Sequence, residues 1–303
     1  MSLREAREFW EEACSWQDSA TPRIVVNVAA FGLFATLIVI VDAPLEAYWK
    51  IKLALPVSPH EIAGAVLGLL LVLRTNAGYE RWWEARKLWG GIVNQSRNLA
   101  IGVAAFGRSD RAWCEATLRW IASFSHTCRQ SLRSLRDLDD VARLVSPEAA
   151  ASVASAAHMP SDVAVRISRQ LKDALDAGRL TGFEFQQLDR ERTALIDHIG
   201  ACERILKTPL PLVSSIKIRH FIVLFLGSLP FGLLNRIEAG WLIPLITLLV
   251  AWAVLLVDEI GEELQFPFDL DGISPLPLED ICRTIETSVL GVLPRDESPA
   301  GPR

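Results

Sequence analysis

His60-Glu61-Ile62-Ala63-Gly64 begins as the zinc-hydrolase pattern HExxH begins. That chemistry needs a second imidazole one helical turn on, so that two ring nitrogens face one metal, and Gly64 stands in its place. A histidine–glutamate pair at a membrane surface is the ordinary reading. His126, His158, His198 and His220 have no ligand spacing among themselves, and the chain has neither a GxxxxGKS/T phosphate loop nor a GxSxG elbow. Cys14, Cys114, Cys128, Cys202 and Cys282 are scattered without CxxC spacing. That suits a reducing, cytosolic face better than a disulfide framework or a zinc site, and their ordinary role is that of small buried residues. The expectation is a protein that is not an enzyme and holds no metal and no cofactor.

What the chain offers instead is a barrier to water. Ala65, Leu69 and Leu73 recur every fourth residue, on one face of a helix, and are followed at once by Arg74, Asn76, Glu80, Arg81, Trp82, Trp83, Glu84 and Arg86. From periodicity alone the apolar three read as lipid-facing or core residues. Gly64 and Gly68 form a GxxxG pair, whose usual meaning is close helix packing. No proline interrupts Ala65–Asn98, so the stretch reads as one helix that leaves a membrane. A charge at the bilayer centre costs about 2.5–3.5 kcal/mol, so this helix must enter protein or water near Arg74. Beyond that point Arg81, Glu84 and Lys87 follow at i,i+3 spacing, which sets opposite charges side by side. A shaft of that kind suits a pore wall.

The elements that would position this helix follow from hydropathy. The chain is 50% hydrophobic and 22% charged, too charged to be all membrane, and its net charge of −5 gives no basic excess for nucleic acid. Its mean hydropathy is +0.26. Residues 1–20 hold an amphipathic helix over Leu3–Trp16, too charged for a signal peptide. Residues 21–90 hold the first two spans. Ile24–Val41 is the first, with Asn27 its only strongly polar member, closed by Asp42-Ala43-Pro44. Leu45–Pro59 connects it, past Tyr48 and Trp49 at the level of an aromatic belt, to a second span at Glu61–Leu73. Residues 91–216 read as a helical cytosolic domain. It comprises a helix at Arg111–Leu135, a weakly structured connection over Ser146–Ser161 with a short helix at most, a helix N-capped by Ser161 or Asp162 that ends near Gly178, and another at Thr181–Leu206. Thr208-Pro209-Leu210-Pro211 breaks that last helix. Residues 217–258 hold spans three and four, Phe221–Leu234 and Trp241–Val257. Residues 259–293 form a cytosolic C-terminal segment, and 294–303, with three prolines and little to bury, a disordered tail. Arg23 and Lys217–Arg219 put those ends, and with four spans both termini, in the cytosol.

The run Arg74-Thr75-Asn76-Ala77-Gly78-Tyr79-Glu80-Arg81-Trp82-Trp83-Glu84-Ala85-Arg86-Lys87-Leu88-Trp89-Gly90 resembles the signature of the bestrophins, and in particular their bacterial branch. Cys202-Glu203-Arg204-Ile205 with Thr208-Pro209-Leu210-Pro211 is similar to the family's segment before its third membrane helix. Phe266-Pro267-Phe268-Asp269, with Leu276-Pro277-Leu278 and Ile281-Cys282-Arg283-Thr284-Ile285, is similar to the segment after its fourth. The resemblance spans nearly the whole chain. It implies an all-α membrane protein of four transmembrane helices per subunit with a helical cytosolic domain, assembled as a homopentamer round a central pore in a cell membrane, the bacterial inner membrane first. Its partners would be other copies of itself, the lipid bilayer and permeating ions.

By distance from Arg81-Trp82-Trp83, the resemblance places Ala65, Leu69 and Leu73 on the family's hydrophobic neck, where rings of apolar side chains gate by excluding water. The family commonly has phenylalanine or isoleucine there, and this chain has one alanine and two leucines. A count back from Pro211 puts the family's cytosolic aperture near Phe183, which reads equally as a core aromatic. Vertebrate relatives bind calcium through an acidic cluster after the fourth segment. Asp269-Leu270-Asp271-Gly272-Ile273 supplies only two carboxylates where calcium takes about 6–8 oxygens, so no metal is expected. Anion conduction is the family's best-known activity. A cation-conducting, sodium-like channel of the same architecture is the first alternative, and a secondary transporter or non-conducting membrane scaffold the second. Transporters tend to carry inverted repeats, which spans one and two against three and four do not show.

Overall fold

The computed structural model describes residues 20–107, 110–209, 212–270, 272 and 275–292, with the side chains of 212–214 excepted. The amphipathic segment Leu3–Trp16, Cys14, Leu210, Pro211, Asp271, Ile273 and the tail 294–303 lie outside the described residues. In chain order the helices are α1 (Thr21–Pro44), α2 (Val57–Phe106), α3 (Arg111–Leu132), α4 (Asp139–Leu144), α5 (Pro147–Ser155), α6 (Met159–Asp176), α7 (Gly182–Lys207), α8 (Leu212–Leu233), α9 (Leu242–Glu263) and α10 (Leu278–Leu290). A π-helical turn, Leu45–Trp49, follows α1 and ends at Lys50, whose φ is +56°. No strand occurs among the described residues.

The chain divides into two compact units, and α2 passes from the first to the second between Trp82 and Trp83. The first unit holds α1, the first half of α2, α8 and α9. Each contains a stretch long and apolar enough to cross a membrane. Pro22 opens α1, where a missing amide hydrogen costs nothing. The core is a seam of Ile24 and Val28, Leu67 and Leu71, Ile222 and Leu226, and Ala251, with Phe31, Phe221, Phe225 and Leu248 against it. Thr36 of α1 and Thr247 of α9 satisfy their hydroxyls within the helix, each donating at 2.8 Å to the carbonyl four residues back.

Both ends of this bundle are defined by contacts. At one end the Leu53 amide donates to the buried Asp42 carboxylate at 2.8 Å, the Leu55 amide donates to the Phe231 carbonyl at 2.9 Å, and His60 stacks on Phe225 at 4.5 Å between ring centroids. At the other, Arg23 of α1, Arg74 of α2 and Arg219 of α8 meet Asp258, Glu259, Glu262 and Glu263 of α9. The positive ends read from the sequence thus coincide in space. The helices outrun the spans predicted for them. Span three starts within α8, downstream of Lys217 and Arg219, and α9 runs past Val257 to Glu263, because backbone bonding continues after hydropathy falls.

In the second unit α3 packs against α4, α6, α7 and α10. Helix starts are capped as side-chain chemistry requires: Asp110 accepts from the Trp113 amide at 2.9 Å, Ser146 accepts from Ala149 at 3.2 Å, and Thr181 with Glu184 forms a capping box on α7. Two expectations are corrected here. Ser146–Ser161 is mostly helical, since Ser146 caps and Pro147 opens α5. The next helix starts at Met159, capped by His158 and not by Ser161 or Asp162: the His158 ring nitrogen accepts from the Ser161 amide at 3.2 Å while its other nitrogen pairs with Glu203. The described cysteines, Cys114, Cys128, Cys202 and Cys282, are free and buried. Burial pushes the Cys202 and Cys282 thiols up to about 12 and Cys128 well above its ordinary value, so none is a thiolate at neutral pH.

A charged knot joins α10 to this unit. His126, 1% exposed, lies 3.0 Å from Glu286 and 3.3 Å from Asp140; Arg143 pairs with both carboxylates, and Arg129 with Asp140. Burial holds the His126 imidazole below its ordinary pKa of 6.5, against the pull of the two acids, and the hydrogen bond from Arg143 lowers Glu286. Both shifts are downward, so both contribute stability that is full above the unfolded pKa and lost as pH falls through the folded one. Acidification below about pH 6.5 therefore weakens the α10 contact, first through His126 and then through Glu286. Melting temperature should fall over that range in detergent-solubilised protein, and Glu286→Gln should flatten the lower part of the curve. A Glu286→Gln profile parallel to wild type would refute this account.

Candidate functional site

A helix turns 100° per residue, so residues two apart lie on nearly opposite sides. In the part of α2 that belongs to the first unit the buried positions are Leu67 (1% exposed), Leu71 (5%), Arg74 (6%) and Gly78. Ala65, Leu69 and Leu73 fall on the opposite strip, Leu69 61% and Leu73 56% exposed in the single subunit. They are not subunit core. The same strip continues downward through the exposed Asn76, Glu80 and Trp83. The GxxxG pair splits. A side chain at Gly64 would touch the Phe225 ring at 3.2 Å, whereas Gly68 faces open space.

The signature residues brought together in the first unit tie α2 to α9. Arg74 is ion-paired with Asp258, and its other amino group lies 3.2 Å from Glu262. Arg74 is thus buried against protein. Arg81 donates to the Gln265 carbonyl at 2.8 Å, beyond the C-terminus of α9, where a cation is favoured by the helix dipole. Tyr79 and Trp82 stack at 6.4 Å. In the second unit Glu84 pairs with Arg204 of α7 at 2.7 Å, and Arg86 is exposed. Arg81 and Glu84 therefore have partners outside α2. No break occurs at Gly90-Gly91: α2 runs on to Phe106, with Gly91 against the His198 ring. Trp89, in the same signature, is 0% exposed.

Phe183 stands at the start of α7, 77% exposed, on a groove it shares with Gln95, Gln186, Gln187, Arg190 and Glu191. That excludes the core reading within the subunit. Asp269 is described but its companion Asp271 is not, and among the described residues no cluster of metal-ligating side chains occurs. Sequence reasoning missed Asp258 and Glu262 as partners of Arg74, and Arg219 as a second cation on the same two acids. The signal was a string of acids directly after an apolar run, Val257-Asp258-Glu259, taken as the end of a span.

A voltage-dependent anion channel-forming protein of Synechocystis is 31% identical over 94% of this chain and 92% of its own length, and one of Nostoc 32% identical over 88% and 84%. One of Mesorhizobium japonicum is 32% identical over 97% and 92%. The crystal structure of a bacterial bestrophin homolog from Klebsiella pneumoniae shares the fold with a TM-score of 0.80 at 24% identity, over 89% of this chain and 98% of that one. The family model of the bacterial and fungal bestrophin proteins matches residues 1–291, and with its four membrane-length helices and its α2 signature this chain belongs to that family.

Proposed function

We propose that the chain is one subunit of a homopentameric anion channel, with Ala65, Leu69 and Leu73 lining its neck and Phe183 a cytosolic aperture. The observation that carries this reading is the exposed strip of α2. A membrane helix with one buried face has no folding reason to keep an apolar strip running straight into Asn76, Glu80 and Trp83 on its open face. Packed round an axis, the upper strip forms apolar rings and the lower one is shielded from lipid. Asn27, exposed on the otherwise apolar α1, gains a partner in the same way, since a lone amide in hydrocarbon is costly. The names of the relatives support anions as the permeant ions. The clustered arginines support a cytosolic charged end, with both termini, the helical domain 91–216 and the segment 259–293 on that side of the inner membrane.

The test is made on purified protein. Mass of the detergent-solubilised particle, corrected for detergent, should correspond to the homopentamer, and its reconstitution into planar bilayers should give stepwise currents. A monomer that conducts would refute the assembly. A homopentamer that gives no current would turn the reading toward a scaffold, and uptake without current steps toward a transporter.

A further inference from the structure

Directly after the last apolar position, α2 is held against α9 by contacts on successive turns. The Arg74 guanidinium, 6% exposed, is ion-paired with Asp258, 5% exposed, and lies 3.2 Å from Glu262. Arg219 of α8 reaches the second oxygen of Asp258 at 3.4 Å and pairs with Glu262. Four residues after Arg74, Gly78 meets α9 so closely that a side chain there would stand 2.9 Å from the Gly261 carbonyl oxygen and 3.1 Å from Leu264. Below that, Arg81 donates to the Gln265 carbonyl at 2.8 Å, and the Gln265 amide donates back to Gly261 at 3.0 Å. Charge, close approach and hydrogen bond thus recur along one face of α2, turned away from Leu69 and Leu73.

The consequence is geometric. Leu73 immediately precedes Arg74, so fixing the direction of Arg74 on the helix fixes that of Leu73, and through the four-residue repeat those of Leu69 and Ala65. An ion pair is a suitable pin for such a setting. Turning Arg74 away would leave Asp258 buried beside Arg219 alone and put a charged group toward lipid, so intermediate rotations are disfavoured. We propose that Arg74 and Asp258, with the Gly78–Gly261 contact, form a rotational clamp that positions the neck. This rests on the neck reading above and adds the residues that set it.

The test compares Asp258→Asn, Asp258→Glu and Gly78→Ala with wild type and with Leu69→Ala/Leu73→Ala as reconstituted channels, after the mass of each particle is checked. Asp258→Asn removes the charge while keeping the shape, and Gly78→Ala pushes the helices apart with every charge in place. Both should change single-channel conductance or open probability by about 2- to 30-fold, the span of couplings carried through packed elements. Asp258→Glu should restore much of the wild-type behaviour. Assembled Asp258→Asn and Gly78→Ala channels with wild-type currents, beside a Leu69→Ala/Leu73→Ala channel whose current is raised, would overturn the clamp and leave the neck intact. If the double leucine variant is also silent, the neck reading itself fails. If Asp258→Asn does not assemble, Gly78→Ala decides, and failure of both to assemble makes the contact a folding element and overturns the proposal.

Discussion

Replacing Leu69 and Leu73 together by alanine should raise single-channel current while the yield of assembled particle stays at the wild-type level. A narrow passage ringed by branched apolar side chains disfavours continuous water, so an ion entering it sheds hydration without receiving polar contacts in exchange. Removing that side-chain volume lets water persist and lowers the barrier. The single subunit makes the result diagnostic, because Leu69 and Leu73 are 61% and 56% exposed and hold nothing together inside it. A truncated buried leucine would cost about 2–5 kcal/mol and appear as lost protein. Truncation toward lipid would leave both current and yield unchanged. Either outcome would take these leucines off the ion path.

Trp89→Ala should do the opposite, removing folded protein and not altering conduction. Its indole is 0% exposed within the second unit, and truncating a fully buried tryptophan costs about 3–5 kcal/mol, a large share of the ~5–15 kcal/mol that typically holds a domain folded. Thermal melting of the solubilised variant, with the yield of assembled particle, measures it. A variant that melts with wild type would show that the indole is not part of the core. Trp83, 46% exposed on the same helix, provides the contrast: its truncation should spare the subunit and weaken assembly.

The membrane helices and the signature were legible because hydropathy and local charge are written in consecutive residues. Ile24–Val41 and the passage from Leu73 into Arg74 needed no tertiary information. Which face of α2 is buried was not legible, since leucines and valines occupy its apolar part all round. Only the contacts of Leu67 and Leu71 with α1, α8 and α9 separate the core face from the open one. The partner of Arg74 lies 184 residues away, a pairing no local pattern encodes. His158 escaped as a cap because imidazole is rarely used in that role, and Ser161 beside it has the commoner chemistry. Phe183 was placed by counting alone, and its exposure follows from its position at a helix start, which the Thr181–Glu184 capping box does announce.

A neck lined by Ala65, Leu69 and Leu73, as proposed, carries no charge with which to select ions, and the reversal potential tests selection directly. With the purified protein reconstituted in a planar bilayer under asymmetric potassium chloride, the proposed anion channel should give a reversal potential displaced toward the chloride equilibrium potential. Displacement toward the potassium equilibrium potential would contradict anion conduction.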